Sequence, residues 1–113
     1  MIKIYHNPRC KKSRAGLKHL EEKGIDFEKV EYLKNPLTKM ELKDILVKMN
    51  VKPQEMIRTQ EDIYKKQLKG KDFTDDEWIG IMVENPKLIK RPIVVKDYKA
   101  VWADPPEEMD RLF

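Results

Sequence analysis

The hydrophobic residues of this 113-residue chain change their spacing in a fixed order, and that order limits the folds available. Around Ile2 and Ile4 they alternate at every second position, the period of a half-buried strand over residues 1–5. His6-Asn7-Pro8 breaks the alternation as a turn. From about residue 10 to 23 the spacing lengthens to that of a helix, with Ala15, Leu17 and Leu20 inward and Gly24 as its stop. Residues 25–33 return to alternation through Phe27, Val30 and Tyr32, a second strand. Strand, helix and strand in so short a span imply a parallel pair joined by a right-handed crossover.

Beyond the turn at Asn35-Pro36 the pattern is helical. Thr38 with Glu41 forms a capping box for a helix through Leu42, Ile45, Leu46 and Met49. Pro53 opens a short helix holding Met56, Ile57 and Arg58, and residues 61–68 read as a further helical piece. A second capping box, Thr74 with Glu77, starts a helix through Trp78, Ile81 and Met82 that ends near Asn85-Pro86. Strands over 92–96 and 100–103 are joined across Asp97-Tyr98-Lys99 as a hairpin. Pro105-Pro106 opens a closing helix through Met109, Leu112 and Phe113. The order is β-α-β, a helical middle, then β-β-α. That is the α/β order of a thioredoxin-like fold: a four-stranded mixed sheet with an expanded helical insertion between its two halves. There is no repeat, linker or low-complexity tract, so residues 1–113 are expected to form one domain.

Charged residues make up 39% of the chain and hydrophobic ones 40%, the balance of a folded domain with a heavily ionised surface. The longest apolar stretches are stubs such as Ile93-Val94-Val95, so no membrane partner is expected. No apolar segment of a secretory signal follows Met1, which makes the cytoplasm the expected location. The 24 basic and 20 acidic residues leave a net charge of +4. They intermix along the chain without a basic arm, which argues against nucleic acid and for a modest attraction to small anions. Only five basic residues are arginines: Arg9, Arg14, Arg58, Arg91 and Arg111. Arginine is favoured where planar oxyanions must be gripped. Gly16, Gly24, Gly70 and Gly80 form no phosphate-cradling loop. One cysteine with His6 and His19 is too few soft ligands for a metal, so neither metal nor bound cofactor is expected.

The single cysteine, Cys10, falls between the first strand and the first helix. Helix N-terminal amides and the helix dipole stabilise an anion there, hence a thiolate. Arg9, Lys11, Lys12 and Arg14 add positive charge, an unusual setting for an inert buried thiol. Cys10-Lys11-Lys12-Ser13 has the spacing of a dithiol motif with serine in the resolving place, its hydroxyl able to turn back to the sulfur. Any redox cycle must therefore resolve against an outside thiol, such as glutathione or another protein. His6 can assist proton transfer or orient the loop, and Asn7-Pro8 shapes the turn; His19, mid-helix, reads as structural. Arg91 precedes Pro92, which holds it extended at the start of a strand, where its guanidinium can grip an oxyanion with two hydrogen bonds. Arg58 closes the short helix after Pro53.

The stretch from His6 to Arg14, His-Asn-Pro-Arg-Cys-Lys-Lys-Ser-Arg, resembles the active-site segment of glutaredoxin-linked arsenate reductases of the ArsC type. Tyr32-Leu33-Lys34-Asn35-Pro36, Met56-Ile57-Arg58, Phe73-Thr74-Asp75-Asp76 and Asn85-Pro86-Lys87-Leu88-Ile89 follow in that family's order. Arg91-Pro92-Ile93-Val94-Val95 resembles its signature strand. The resemblance implies that Cys10 attacks arsenate and that glutathione, a co-substrate, displaces at arsenic. Arsenite then leaves with a Cys10–glutathione mixed disulfide, which glutaredoxin reduces. It implies that Arg58 and Arg91 hold the oxyanion, that His6, Asn7, Ser13 and Arg14 shape the surroundings of the thiolate, and that Pro92 is a cis proline. The family's third arsenate-binding arginine falls at Asp104, whose charge repels an arsenate dianion. That difference raises an alternative: a related single-cysteine oxidoreductase acting on glutathione adducts or another oxyanion. The fold also resembles Spx-like regulators that bind RNA polymerase, whose two-cysteine switch Ser13 removes.

Overall fold

The computed structural model describes residues 1–113. The chain divides into two compact units, residues 1–35 with 91–113 and residues 36–90. In the first, four strands form one sheet in the order β2-β1-β3-β4: β1 Ile2–Tyr5, β2 Glu28–Val30, β3 Ile93–Lys96 and β4 Lys99–Trp102. β1 runs parallel to β2 and antiparallel to β3, and β4 returns antiparallel to β3. The crossover helix α1, Lys11–Glu21, and a closing 3₁₀ helix, Pro106–Leu112, pack on the face that carries Ile4 and Val94. There Leu20, Val101, Ala103, Met109 and Leu112 complete a core flanked by Ile2, Leu17 and Phe27. With the helices of residues 36–90 between β2 and β3 in the chain, this is the mixed-sheet α/β architecture of the thioredoxin-like fold. No helix is long and apolar enough to cross a membrane.

Strand β2 is shorter than the alternation over 25–33 predicts. It is an edge strand paired only with β1, and pairing stops at Tyr5 opposite Val30. Beyond that point the Glu31 carbonyl accepts from Lys34 and Asn35, curling the chain into a turn before Pro36. The hairpin turn is tighter than expected: Lys96 pairs with Lys99, leaving Asp97 and Tyr98 at the tip with Asp97 at φ 54°. Two-residue turns of this kind require positive φ, which an aspartate tolerates better than most residues. His19 on α1 and Lys23 in the turn that follows it both reach Asp110 of the closing helix, at 2.9 and 2.7 Å. The Lys23 and Lys96 ammonium groups both lie over the Phe113 ring, 4.9 and 5.2 Å from its centroid.

In the second unit both capping boxes form. Thr38 opens α2, Lys39–Met49, and Thr74 opens α3, Asp75–Glu84. The hydroxyl accepts from the amide three residues on while the glutamate there accepts from the threonine amide. Asn50, at φ 58°, ends α2 in the left-handed conformation. A 3₁₀ turn at Pro53–Met56, a π-helical turn at Tyr64–Leu68 and a 3₁₀ turn at Pro86–Leu88 complete it. An antiparallel bridge links Ile57 with Ile89, a pairing the helical reading of Met56-Ile57-Arg58 does not contain. Leu42, Ile45, Leu46, Trp78, Ile79 and Met82 are buried, and Phe73 meets Trp78 edge-on at 4.8 Å.

The inward face of α1 also differs from expectation. Leu20 is buried and Leu17 packs against the core as expected, but Ala15 is exposed and Ser13 and Gly16 are buried instead. A Cβ on Gly16 would lie 2.5 Å from Pro92 Cγ. A helix-interior glycine costs about 1 kcal/mol relative to alanine, so here the missing methyl group is what lets α1 approach the loop before β3. Gly16→Ala should therefore destabilise the protein by about 1–3 kcal/mol in urea denaturation, through overpacking. Gly80 on α3, with nothing nearer its virtual Cβ than Lys39 Cε at 3.8 Å, is the control: Gly80→Ala should raise stability by about 0.5–1 kcal/mol.

Candidate active site

The loop from His6 to Cys10 is held by two hydrogen bonds of its own and by others from β2 and the first turn of α1. His6 leaves β1 with its amide still bonded to the Val30 carbonyl at 2.9 Å. The Asn7 side-chain oxygen accepts from the Arg9 amide at 3.0 Å, and the Asn7 carbonyl accepts from the Cys10 amide at 3.0 Å. These bonds build a turn at Pro8-Arg9 that delivers Cys10 to the N-cap position of α1. Arg14, one turn into the helix, donates from Nη1 to the Pro8 carbonyl at 3.0 Å, bracing the loop from outside.

Ser13 does not turn its hydroxyl toward the sulfur. The side chain is fully buried, with Oγ 2.7 Å from His6 Nδ1 and accepting from the Asn7 amide at 2.9 Å. A buried hydroxyl without partners is costly, and these two partners satisfy it. With Oγ accepting from Asn7, its own proton is left to donate to Nδ1, which suits a neutral His6 protonated at Nε2. The His6 pKa is correspondingly lowered, by burial first and then by the charge of Lys29, against opposing effects of Glu31 and a backbone hydrogen bond with Ser13. Ser13 still serves the sulfur, through its backbone.

Three groups favour the Cys10 thiolate. Burial alone would raise its pKa; the backbone amide of Ser13, a side-chain hydrogen bond from Arg91 and the amide of Lys12 outweigh it. The Arg91 charge adds a coulombic contribution, and the thiol titrates below its ordinary value. Cys10 is the N-cap residue of α1 but its side chain makes no capping hydrogen bond, so the amides of Lys12 and Ser13 favour the charged sulfur without the close geometry of a true cap. Arg91 is buried, and a buried cation needs a compensating anion as much as the sulfur needs a cation.

Sheet register brings Arg91 there. Tyr5 pairs with Ile93, so the residues just before β3 lie beside those just after β1. The Arg91–Pro92 bond is cis. The Trp102 indole donates to the Arg91 carbonyl at 3.1 Å, and the Ala103 amide donates to the Pro92 carbonyl at 2.9 Å. Trp102 and Gly16 escaped the sequence reading. An interior helix glycine was the available clue for Gly16, whereas the Trp102 contact exists only through the β3–β4 register. Asp104, next in the chain, pairs with Lys12 at 3.1 Å.

His6, Asn7, Cys10, Ser13, Arg14, Arg91 and Pro92 thus all belong to the first unit. Arg58 belongs to the second. Its amide donates to the Leu88 carbonyl at 2.7 Å, beside the Ile57–Ile89 bridge, and its Nε donates to Glu61 at 3.1 Å. No group of three or more metal-ligating side chains is present.

Residues 5–112 match the ArsC family, and the chain belongs to that family. It is 41% identical to an arsenate reductase of Neisseria meningitidis (strain MC58) over 113 residues, 98% of this chain and 97% of that protein. It is 43% identical to the uncharacterized protein YfgD of Escherichia coli (strain K12), over 96% of this chain and 92% of YfgD. Among solved structures it is similar to an arsenate reductase from Vibrio cholerae: TM-score 0.94 and 37% identity, covering 99% of this chain and 97% of the other.

The electrostatic balance at Cys10 can be measured by its rate of alkylation with iodoacetamide against pH. The rate should reach half its plateau at a pH below the ordinary thiol value. Because Arg91 stabilises only the charged form, Arg91→Ala should move that midpoint upward and slow alkylation at neutral pH. An unchanged midpoint would remove Arg91 from the list of stabilising groups.

Proposed function

We propose that the chain reduces arsenate to arsenite, with the Cys10 thiolate as nucleophile, glutathione as co-substrate and glutaredoxin as the protein that restores the thiol. What carries the reading is the thiolate itself: an N-cap sulfur facing two helix amides and a buried guanidinium, in a chain about 40% identical to arsenate reductases. The same groups that hold the sulfur's charge can hold the oxygens of an oxyanion as it approaches, an electrostatic role that costs no reorganisation.

Attack of the sulfur on arsenic(V) displaces one arsenate oxygen, which leaves as water. Glutathione sulfur then displaces a second oxygen at arsenic, which also leaves as water, and the two sulfurs join as both arsenic–sulfur bonds break, one electron pair making the disulfide and the other staying on arsenic. Two thiols have lost one electron each, arsenic has gained two, and arsenite departs. The mixed disulfide must be opened by an external thiol, because the chain holds no second cysteine. This chemistry assigns the reaction to the cytoplasm, where glutathione is kept reduced. Arg91 stabilises charge during transfer, and the family resemblance gives Arg58 a share in gripping the oxyanion.

Asp104 favours a second reading, in which the same thiolate acts on glutathione adducts or another oxyanion. The two separate in one assay, arsenite formation from arsenate with glutathione and glutaredoxin. Under the first reading the unmodified chain turns over, Cys10→Ser falls to background, and Arg91→Ala loses about 10²–10³ in kcat, as when an oxyanion-stabilising donor is removed. Turnover only after Asp104→Arg would favour the second. Turnover surviving in Cys10→Ser would refute the nucleophile.

A further inference from the structure

The cations of the Cys10 segment are not equivalent. Arg9 and Lys11 reach no carboxylate, and Arg14 is spent on the Pro8 carbonyl. Lys12 alone is in an ion pair, with Asp104 Oδ2 at 3.1 Å. Asp104 is also the more sheltered partner, its side chain 21% exposed against 62% for Lys12. Its position is fixed from behind: Ala103 donates to the Pro92 carbonyl, and Trp102 donates to the Arg91 carbonyl. The carboxylate therefore extends from the strand end that holds Arg91 and Pro92 to the residue whose amide faces the sulfur. As a stability device such a pair is worth little, because one partner is largely solvated. As a fixed negative charge paired with Lys12, two residues along the chain from the nucleophile, it acts on every charged molecule that approaches that end of α1.

We propose that Asp104 is a specificity-determining residue. Through its ion pair with Lys12 it cancels one positive charge at the approach to Cys10, so that the site favours reactants bearing a single negative charge over doubly charged ones. The proposal rests on the reading of Cys10 as a thiolate nucleophile and deepens it by naming the charge class of the substrate. For an oxyanion, the preferred form is the singly ionised one.

Since the chain has one cysteine, two alkylating reagents of similar shape isolate the local potential. Iodoacetate carries a negative charge and iodoacetamide carries none, and both react with the same thiolate. Their rate ratio on the intact protein therefore cancels the fraction of thiol ionised. Asp104→Asn should raise the iodoacetate-to-iodoacetamide ratio about two- to fivefold, the effect of one unit charge several ångströms away in a largely aqueous dielectric. Lys12→Gln, which leaves the carboxylate uncompensated, should lower the ratio. Combining the two should return it toward the unmodified value. The differences should collapse as salt rises from roughly 0.01 to 1 M and the Debye length falls from about 30 to 3 Å.

Rapid alkylation at an unchanged ratio in both single variants would overturn the proposal, as would a raised ratio in Asp104→Asn that persists when Lys12→Gln is added. Slow reaction of the unmodified protein with both reagents at neutral pH is a different pattern. It would overturn the thiolate reading, and this proposal with it.

Discussion

The antiparallel pairing of β1 with β3 is the contact on which the site depends. It joins a segment at the start of the chain to one near its end, and its register sets Tyr5 against Ile93. The residues just past each strand are thereby made neighbours. On one side stand His6, Asn7 and the turn to Cys10; on the other stand Arg91 and Pro92. A slip of one residue would turn every side chain of β3 to the opposite face. That slip is opposed by the burial of Ile4 and Val94, directly paired and both fully enclosed in the core beneath α1. Core packing thus fixes where a charged group from one segment meets the sulfur of another.

At Cys10 the forces oppose one another. Partial burial disfavours the thiolate, while two helix amides and the Arg91 guanidinium favour it more strongly. Neither half would suffice alone. Unpaired, Arg91 would be an uncompensated buried charge, and without Arg91 the sulfur would rely on the helix terminus. Behind them, Ser13, His6 and Asn7 form a closed set of hydrogen bonds, which holds the first turn of α1 and hence the direction of its amides.

Local signals in the sequence went far because local physics determined those parts. The capping boxes at Thr38 and Thr74, the helix beginning beside Cys10 and the order β-α-β to β-β-α are all written in neighbouring residues and their spacing. The features that local signals do not determine depend on partners distant in the chain. The alternation through Phe27, Val30 and Tyr32 suggested a long strand, yet the length of β2 is limited by β1. Ala15 fits the helical period, but the space beneath α1 is occupied by Pro92, so Gly16 faces inward. The spacing of Ser13 from Cys10 suggests a hydroxyl turned to the sulfur, whereas buried His6 and Asn7 decide where it points. The ion pair of Lys12 with Asp104 has no local signature at all.

The contact between Gly16 and Pro92 has a mechanical consequence. Helix α1 carries the nucleophile and the loop before β3 carries its counter-charge, and between them there is less room than one methyl group needs. Neither can slide toward the other, and the Ala103 and Trp102 hydrogen bonds resist retreat of the loop. Thermal motion of one is therefore shared by the other. The separation of sulfur and guanidinium is governed by the stiffness of close-packed atoms, and the acidity of the thiol inherits that stiffness.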